Sequence, residues 1–303
     1  MIDFQPLRLS QKDIYDPILQ AFGHRGCEYN FTNLYAWGRQ QAAMVEGNLC
    51  LFSQFSGQSI YPFPIGFSDP KPTIDALISD AKERGIAFRI TSLSQEDCAY
   101  LQRTYPDMFH YHIVRSHFDY VYDINDLADL KGKKLQKKRN HVNRFRQQNP
   151  DARVLPLSSE TLPLLWQVFD LWYESRQTSD PHSDVYMERV AAKKALDHWQ
   201  ELGLEGLVLM LADRPVAATV ASRLCGDTFD VHFEKAAEDV DGAYPVINRE
   251  FAGYLRSKYP EVKWLNREDD LGIEGLRKAK LSYHPAFLVE KHWAALKEDG
   301  YDY

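Results

Sequence analysis

The sequence lacks a long apolar run and a secretory leader. No stretch of the 303 residues approaches the roughly 18 consecutive apolar residues that a membrane-spanning helix needs. Residues 1–10 contain neither a basic region nor the apolar core of a signal peptide. With 44% hydrophobic and 26% charged residues, the composition is that of a folded globular protein. We therefore expect a cytoplasmic protein without a transmembrane segment.

Cysteine is scarce and scattered. The four cysteines are Cys27, Cys50, Cys98 and Cys225, and no two of them form a CxxC pair. Such spacing suits a reducing compartment and argues against a clustered zinc or iron–sulfur site. We expect buried thiols, no metal site and no tightly bound cofactor.

Acidic residues are missing from one segment of an otherwise acidic chain. Residues 131–146 contain eight Lys or Arg and no Asp or Glu, while the whole chain has a net charge of −7. Without those eight positive charges the remainder carries −15. An acidic body repels polyanions in general, so we expect no DNA partner, but the basic segment can attract phosphates locally.

The basic segment predicts a helix over 133–148, with Leu135, Val142 and Phe145 on its apolar face. Two interpretations stay open. The helix can be a solvated connector between two halves, or it can line a groove for the phosphates of a tRNA. The second interpretation assigns phosphate binding to five residues: Lys133, Lys134, Lys137, Lys138 and Arg139.

In the second half of the chain, turn sequences clearly separate the predicted strands and helices. Apolar or alternating runs at 206–212, 216–224 and 228–234, separated by turns, predict a three-stranded antiparallel meander. A helix at 243–258, a strand at 262–265, a helix at 272–283 and a strand at 287–289 should follow. Helices are predicted ahead of the meander, at 162–173 and 183–201.

The first half repeats this order. Strands are predicted at 42–45, 49–55, 59–63 and 88–93, helices at 11–22, 31–38, 73–84 and 95–105, and further strand material through 114 and 120–122. Equivalent elements lie about 165 to 177 residues apart, which indicates a duplicated domain. The predicted class is α/β with mixed sheets, divided into a first domain (1–125), a basic connecting helix (126–150) and a second domain (151–303).

The order of elements resembles that of GNAT-type acyltransferases, and three motifs sharpen the resemblance. They are KA at 235–236 followed by DGAYP at 241–245 and IN at 247–248; WLNREDDLG at 264–272 followed by GLR at 275–277, Lys280 and SYHP at 282–285; and LKGKK at 130–134 followed by KKRN at 137–140. Together they resemble the catalytic region of phosphatidylglycerol lysyltransferases and its soluble relatives. That group is similar to the Fem-type transferases, which move an amino acid from aminoacyl-tRNA onto an amine or hydroxyl.

Two departures from the resemblance shape the functional prediction. The lysyltransferases carry a long membrane-embedded domain ahead of this region, which this sequence lacks, so we expect a soluble small-molecule or peptide acceptor rather than a lipid. The glycine-rich pyrophosphate loop of acetyl-CoA-dependent enzymes is also missing, since only Gly242 precedes the helix. The resemblance therefore implies an aminoacyl-tRNA-dependent transferase. The alternatives are an acyl-CoA-dependent N-acyltransferase and a non-catalytic RNA-binding or scaffold protein.

Transfer from an activated ester needs a proton acceptor, a cation or N–H donor for the oxyanion, and anion sites for the donor. Glu268 or Asp270 would hold the incoming ammonium and take its proton. Arg277 and Lys280, three apart on one helix, would point together at an oxyanion or a phosphate. The acids can instead cap a helix, and the cations can pair with those acids.

The donor site is predicted around the start of the helix at 243. Gly242, Ala243 and Tyr244 would present free N–H groups to an anion, and Asn248 would orient a carbonyl or a phosphate. The predicted donor site also includes Asn266 and Asp269. On the meander, His232 and Glu234 are expected to face solvent, and residues 61–64 are a candidate aromatic wall of an acceptor pocket.

Overall fold

The computed structural model describes residues 1–55, 58–176 and 183–299, except for the side chain of Phe55. Its strands are β1 (Gln5–Pro6), β2 (Gln40–Val45), β3 (Asn48–Phe55), β4 (Gln58–Pro62), β5 (Arg89–Leu93), β6 (Phe109–Ile113), β7 (Asp119–Asp123), β8 (Arg153–Pro156), β9 (Glu205–Leu211), β10 (Arg214–Cys225), β11 (Thr228–Ala236), β12 (Trp264–Asn266), β13 (Phe287–Val289) and β14 (His292–Leu296). Its α-helices are α1 (Lys12–Phe22), α2 (Phe31–Trp37), α3 (Pro70–Arg84), α4 (Gln95–Thr104), α5 (Ile124–Asp129), α6 (Gln136–Gln148), α7 (Leu162–Glu174), α8 (Asp184–Asp197), α9 (Ala243–Lys258) and α10 (Glu274–Leu281).

The strands form two seven-stranded mixed sheets with equivalent orders. The first sheet runs β1-β2-β3-β4-β5-β14-β6, and the second, from its other edge, runs β8-β9-β10-β11-β12-β7-β13. Each sheet has an antiparallel meander followed by a parallel pair, β4 with β5 in the first and β11 with β12 in the second. The internal repeat predicted from element spacing is therefore present in the topology.

The two sheets exchange one strand each. β7, which the sequence places at the end of the first half, lies in the second sheet between β12 and β13. β14, from the end of the chain, lies in the first sheet between β5 and β6. The chain thus crosses between sheets just before Asp119 and again just before His292. The division at residues 125 and 150 stays a prediction, since β7 and β14 each complete the other half's sheet.

Most predicted elements are present, with local chemistry that explains their ends. The side chain of Asp69 caps α3 by accepting from the Lys71 amide, and Gly85 ends that helix in the left-handed conformation. Ser94 and Asp97 form a capping box at the start of α4. α6 begins three residues later than predicted and buries Val142 and Phe145, as its apolar face requires.

Three apolar cores hold the sheets and helices together. One lies between α9 and one face of the second sheet, a second joins α1, α2, α7 and α8 to the other face, and a third lies within the first sheet and α3. Tyr61 and Phe63 belong to the third core and are 0% and 6% exposed, so they are ordinary core residues and not a pocket wall. Among the described residues, no helix has both the length and the apolar character to cross a membrane.

Candidate functional site

The predicted site lies where β11 and β12 separate. Their parallel pairing joins Thr228–Asp230 to Trp264–Asn266. Beyond this pairing β11 continues to Ala236, whereas the loop that follows β12, residues 267–272, turns away from it. Ligands of open α/β sheets usually bind at the carboxyl ends of such parallel strands. The residues just beyond each strand therefore decide the chemistry of this opening.

A β-bulge in β11 changes the direction of its polar side chains. Val220 pairs with Phe233 and Ala221 with Val231, so His232 is an extra residue in the ladder. The expected alternation breaks at this point. Asp230 contacts α2 through Asn33, whereas Glu234 contacts α9 through Asn248.

The solvent-facing positions predicted for His232 and Glu234 are wrong. The side chain of His232 is 0% exposed and that of Glu234 is 8% exposed. The sequence pattern showed three alternating polar residues, but it did not reveal the helices that cover both faces of this strand.

Glu268 lies in a buried polar group that includes Asn33, Asp230 and His232, which we call the histidine cluster. Its backbone has a φ of 56°, and its amide donates to the Asn266 side chain over 2.7 Å. Glu268 Oε1 accepts from Asn33 Nδ2 at 2.9 Å and lies 3.5 Å from His232 Nδ1. The Glu268 side chain is 24% exposed, so it is partly accessible to solvent.

Two carboxylates lie close together in the histidine cluster. Asn33 Nδ2 donates to Asp230 Oδ2 at 3.1 Å as well as to Glu268. Burial raises the pKa of Asp230 well above its ordinary value, and the nearby charge of Glu268 adds to this shift.

A second buried group, which we call the lysine cluster, lies where the chain crosses between the sheets. It comprises Cys27, Glu28, Asp119 and Lys291. Lys291 Nζ lies 2.7 Å from both Glu28 Oε2 and Asp119 Oδ1, and 3.5 Å from Cys27 Sγ. Burial alone would lower the pKa of Lys291, but the surrounding negative groups, led by Asp119, raise it overall. The clusters are connected, because Asn266 donates to Asp119 and accepts from the Glu268 amide.

The buried Asp270 pairs with the partly exposed Arg277 instead of facing an open site. Arg277 Nε and a terminal nitrogen lie 2.8 and 3.0 Å from the two Asp270 oxygens. The Tyr120 hydroxyl and the Gly272 amide also donate to Asp270, at 2.6 and 2.9 Å. The Arg277 hydrogen bond holds the pKa of Asp270 far below its ordinary value. Asp270 is therefore a weak base, and this pair follows the alternative in which the cation partners the acid.

Lys280 also holds the loop. Its Nζ donates to the carbonyls of Arg267, at 2.5 Å, and Asp269. Burial lowers the pKa of Lys280 and raises that of Asp269 to about 6. Lys280 and Arg277 thus fix the loop at two points, and neither points freely at a ligand.

Glu234 connects the loop to α9. Its carboxylate accepts from the Arg267 guanidinium at 2.8 Å and from the side-chain amide of the buried Asn248 at 3.4 Å. The Arg267 guanidinium stacks over Tyr283, 4.9 Å from its ring centre, and Lys138 Nζ lies 3.9 Å from that same centre. Burial, with a contribution from Arg267, lowers the pKa of Lys138 to about 8. The structure therefore brings α6, α9 and the loop together around a concentration of positive charge.

The start of α9 offers fewer free amides than expected. The Ala243 amide donates to the Val240 carbonyl at 3.2 Å, and Pro245 has no amide hydrogen. Gly242 has a φ of 87°, and a side chain there would lie 3.1 Å from Phe145 of α6. Its role is to let two helices approach closely, while the half-exposed Tyr244 follows at the surface.

The five basic residues proposed for phosphate binding fall into two groups. Lys133, Lys134 and Lys137 are exposed, and Lys134 pairs with Asp126 at 2.6 Å. Arg139 donates to the Leu130 and Gly132 carbonyls and so closes the turn before α6, whereas Lys138 points inward to Tyr283.

A cavity of about 410 Å³ opens beside the lysine cluster. Its walls come from the segment after α1, the start of α4 and β13, and include His24, Arg25, Ser94, Phe287 and Glu290. The Arg25 carbonyl accepts from Asn266 at 2.6 Å, which links one wall of the cavity to the base of the loop.

Sequence reasoning missed several residues of this region: Asn33, Asp230, Arg267 and Lys291. Asn33 and Lys291 carry no motif. Asn33 becomes a neighbour of the site through the packing of α2 on the second sheet, and Lys291 through the crossing of the chain between the sheets. Asp230 was visible as part of an alternating polar run, and Arg267 was visible within the motif at 264–272. No pattern in the sequence assigned either of them a partner.

Comparison with known proteins assigns the chain to a family. The family described as phosphatidylglycerol lysyltransferase, C-terminal, matches residues 19–295, and the chain belongs to it. This confirms the resemblance drawn from the motifs. Family and fold together indicate an enzyme of the acyltransferase class.

Three solved structures share the fold. A conserved protein of unknown function from Bacteroides thetaiotaomicron VPI-5482 is 36% identical, with 98% of this chain and 100% of that chain covered and a TM-score of 0.91. L-PGS from Bacillus licheniformis is 16% identical, with 97% of this chain and 94% of that chain covered and a TM-score of 0.67. FemX is 10% identical, with 98% of each chain covered and a TM-score of 0.61. The predicted class of two tandem GNAT-like units is confirmed.

One curated relative matches part of the chain. The uncharacterized protein MYCGA3080 of Mycoplasmoides gallisepticum is 26% identical over 182 residues, or 59% of this chain. The match covers 56% of that relative, so the chain spans about half of its length.

Proposed function

We propose that this protein transfers an aminoacyl group from aminoacyl-tRNA to an amine or hydroxyl of a small-molecule or peptide acceptor. Two neighbouring side chains at the β11–β12 opening point in opposite directions, and this observation carries the proposal. Arg267 points towards Glu234 and Tyr283, while Glu268 points towards Asn33 and His232. The Arg267 side holds an Arg267–Glu234 ion pair and the additional cation Lys138, whereas the Glu268 side holds carboxylates that no lysine or arginine among the described residues pairs with.

The positive side suits the donor. Arg267 and Lys138 converge on Tyr283, and the exposed Lys133 and Lys137 extend the charge along α6. Phosphates bound by such lysines and arginines contribute affinity with little sequence information, which suits the shared acceptor end of tRNA molecules. Asn248 Nδ2 donates to Glu234, and its buried Oδ1 atom has no hydrogen-bond partner among the described residues, so Asn248 could accept from a hydroxyl or amine of the donor but not bind its phosphate.

The carboxylate side suits the acceptor. The acceptor nitrogen or oxygen would attack the ester carbonyl, forming the new C–N or C–O bond and breaking the bond to the tRNA ribose oxygen. Glu268 would take the proton from the attacking atom and return it to the departing ribose hydroxyl. It is favoured over Asp270, since the Asp270 carboxylate is occupied by Arg277 and Tyr120.

The cavity beside the lysine cluster is a candidate for the acceptor, and it is connected to the loop that carries Glu268 only through the hydrogen bond between Arg25 and Asn266. Its volume of about 410 Å³ lies within the roughly 300–1,000 Å³ of small-molecule sites. A soluble acceptor and a cytoplasmic location remain parts of this proposal.

The donor can be identified by selective stabilisation, because a ligand that binds the folded state raises the unfolding temperature by mass action. Thermal shifts would be compared for aminoacyl-tRNA, deacylated tRNA and acyl-CoA esters at low and high salt. We expect stabilisation by aminoacyl-tRNA that falls steeply with salt. Selective stabilisation by a CoA ester would indicate an acyl-CoA-dependent enzyme instead. Stabilisation by RNA without transfer to any tested acceptor would indicate a binding protein.

The role of Glu268 is tested by Glu268→Gln, which keeps the Oε1 acceptor but removes the base. We expect turnover to fall by about 10²- to 10⁴-fold, the range typical of a general base. The matched control is Glu201→Gln, since Glu201 also lies 3.5 Å from a histidine but in the exposed turn that follows α8. Equal turnover in wild type and Glu268→Gln would remove Glu268 from the reaction.

A further inference from the structure

The histidine cluster is a candidate metal site, because among the described residues no lysine or arginine forms an ion pair with Asp230 or Glu268. One atom each of Asp230, His232 and Glu268 lie within 4.8 Å of one another. His232 Nδ1 is 3.7 Å from Asp230 Oδ2 and 3.5 Å from Glu268 Oε1. Among the described residues, His232 Nδ1 and Asp230 Oδ1 are buried without any hydrogen-bond partner. A buried histidine nitrogen therefore points, unpaired, at two carboxylates.

The hydrogen bonds on the other side of the ring set the tautomer of a neutral His232. The Asn30 side-chain oxygen accepts from the Thr32 amide, which sets its orientation as the cap of α2. Ser222 Oγ then donates its single hydrogen to that oxygen, at 3.0 Å, and accepts from His232 Nε2 at 2.8 Å. The proton of a neutral imidazole is thus on Nε2, and the Nδ1 lone pair faces Asp230 and Glu268.

An outer layer of hydrogen bonds supports all three groups. Metal-binding histidines typically donate their second N–H to a neighbouring group, and metal-binding carboxylates are hydrogen-bonded in turn. Ser222 fills this role for His232, and Asn33 Nδ2 fills it for both Asp230 and Glu268. Asn33 is neutral, so it orients the two carboxylates without balancing their charge.

The spacing of these atoms distinguishes a metal ion from an ammonium group. Ligands about 2.1 Å from a metal lie about 3.0–3.4 Å apart, whereas three acceptors around an ammonium nitrogen, each about 2.8 Å away, lie about 4.6 Å apart. The observed 3.5 and 3.7 Å are closer to the metal geometry. The third separation, between the Asp230 and Glu268 oxygens, is within 4.8 Å, so the two carboxylates would have to close around the ion.

We propose that Asp230, His232 and Glu268 bind a divalent transition-metal ion such as Zn²⁺ or Mn²⁺. One imidazole nitrogen with two carboxylate oxygens suits these ions better than Mg²⁺, which prefers oxygen ligands alone. This site departs from the expectation that the protein binds no metal. Coordination through Glu268 Oε1 leaves Oε2 for an acceptor, so the metal site and the proposed transfer are compatible but independent.

Metal binding is tested directly on wild-type protein freed of metal by a chelator. Calorimetric titration with Zn²⁺, Mn²⁺ and Mg²⁺, together with elemental analysis after dialysis, should give one equivalent of Zn²⁺ or Mn²⁺ and much weaker Mg²⁺ binding. Less than about a tenth of an equivalent for both transition ions would overturn the proposal. No substrate is present, so failure here would leave the transfer proposal untouched, and an inactive enzyme would leave the metal site standing.

Variants locate the ion. His232→Gln and Asp230→Asn should weaken binding by at least about 100-fold, and Ser222→Ala by about 10- to 100-fold, as expected for an outer-layer partner. His198→Gln is the matched control, because His198 lies the same 3.5 Å from a glutamate at the surface. Cys27→Ser tests the lysine cluster as the competing location. Loss of binding in Cys27→Ser with retention in His232→Gln would place the ion elsewhere and overturn the assignment.

A spectroscopic measurement keeps the test valid if a buried variant fails to fold. In wild-type protein labelled with ¹⁵N-histidine, Zn²⁺ should shift the His232 Nδ1 resonance to that of a metal-bound nitrogen while Nε2 keeps its proton. Resonances from an imidazolium with both nitrogens protonated, unchanged by Zn²⁺ or Mn²⁺, would show that a proton fills the site and would overturn the proposal.

Discussion

The lysine cluster and the histidine cluster are two buried acidic groups that differ in their cation. In the first, Lys291 lies 2.7 Å from both Glu28 and Asp119. In the second, Asp230 and Glu268 face His232 Nδ1, which has no hydrogen-bond partner among the described residues, and a neutral amide. A buried charge is costly unless it is paired. Lys291 pairs with the acids of the lysine cluster, whereas in the histidine cluster burial raises the pKa of Asp230, and the proposed metal ion would supply the positive charge.

A third region inverts this pattern. Lys138 is half-buried over Tyr283, near the like-charged Arg267, and no described carboxylate pairs with it. A partly buried cation without an acid is suited to an incoming anion, just as acids without a cation are suited to a metal. The contrast separates groups that hold the fold together from groups that are available to ligands.

The largest expected effect comes from removing the cation of the lysine cluster. Lys291→Met keeps much of the side-chain volume but leaves Asp119 and Glu28 buried without a charge partner, and should cost about 3–5 kcal/mol of unfolding free energy. Urea denaturation of the two proteins measures the difference. Lys71→Met is the control, since Lys71 makes a 2.7 Å pair with Asp75 at the surface and should give no measurable change. Equal stability of Lys291→Met and wild type would contradict the comparison.

A smaller loss is expected at Asn33, which donates to both carboxylates of the histidine cluster. Asn33→Ala should lower the unfolding free energy by about 1–3 kcal/mol, because two buried acceptors lose their donor. Saturating Mn²⁺ should reduce that loss, since the ion would balance the same carboxylates. Urea denaturation with and without Mn²⁺ provides the test, with the exposed Asn143→Ala on α6 as control. A loss that Mn²⁺ leaves unchanged would argue that the two carboxylates are not its ligands.

The smallest effect concerns Lys138 and pH. Its pKa is about 8 in the folded protein against 10.5 ordinarily. Between pH 8 and 10.5 Lys138 binds its proton in the unfolded chain but not in the folded one, so the free energy of unfolding rises with pH. Below pH 8 Lys138 is protonated in both states, and the folded protein bears the full cost of partly burying the ammonium group. After allowing for the solvent that still reaches Lys138, the rise is about 1 kcal/mol.

This rise should be absent from Lys138→Met, and urea denaturation of both proteins at pH 7.5, 9 and 10.5 would reveal it. In parallel, acetylation at pH 8 followed by mass spectrometry should modify Lys138 faster, relative to its exposure, than Lys137. Identical pH profiles for variant and wild type would show that the Lys138 ammonium is fully solvated.

The fold was largely predictable because it depends on short-range patterns. Alternation and turns located the meander, helical spacing located α9, and the repeat of element order indicated the duplication. The exchange of β7 and β14 was not predictable in this way. Each strand has the same local pattern whichever sheet it joins, so only packing between the halves selects its partner.

The site was predictable in part. The motif at 264–272 led to Glu268 and to the opening beside it, and the basic segment led to Lys138. The same motif gave no reason to separate Glu268 from Asp270, since both are acids in one loop. Arg277 and Tyr120 decide this difference by occupying Asp270.

By itself, the sequence determined the two-unit α/β fold, the family and the segment that carries the candidate chemistry, because these follow from periodicity, spacing and local motifs. Only the tertiary structure decided which charges are paired. The bulge at His232 turns it and Asp230 towards α2, and the strand exchange places Lys291 beside Asp119. Such contacts join residues up to about 260 positions apart, and their electrostatics depend on burial that no local pattern specifies.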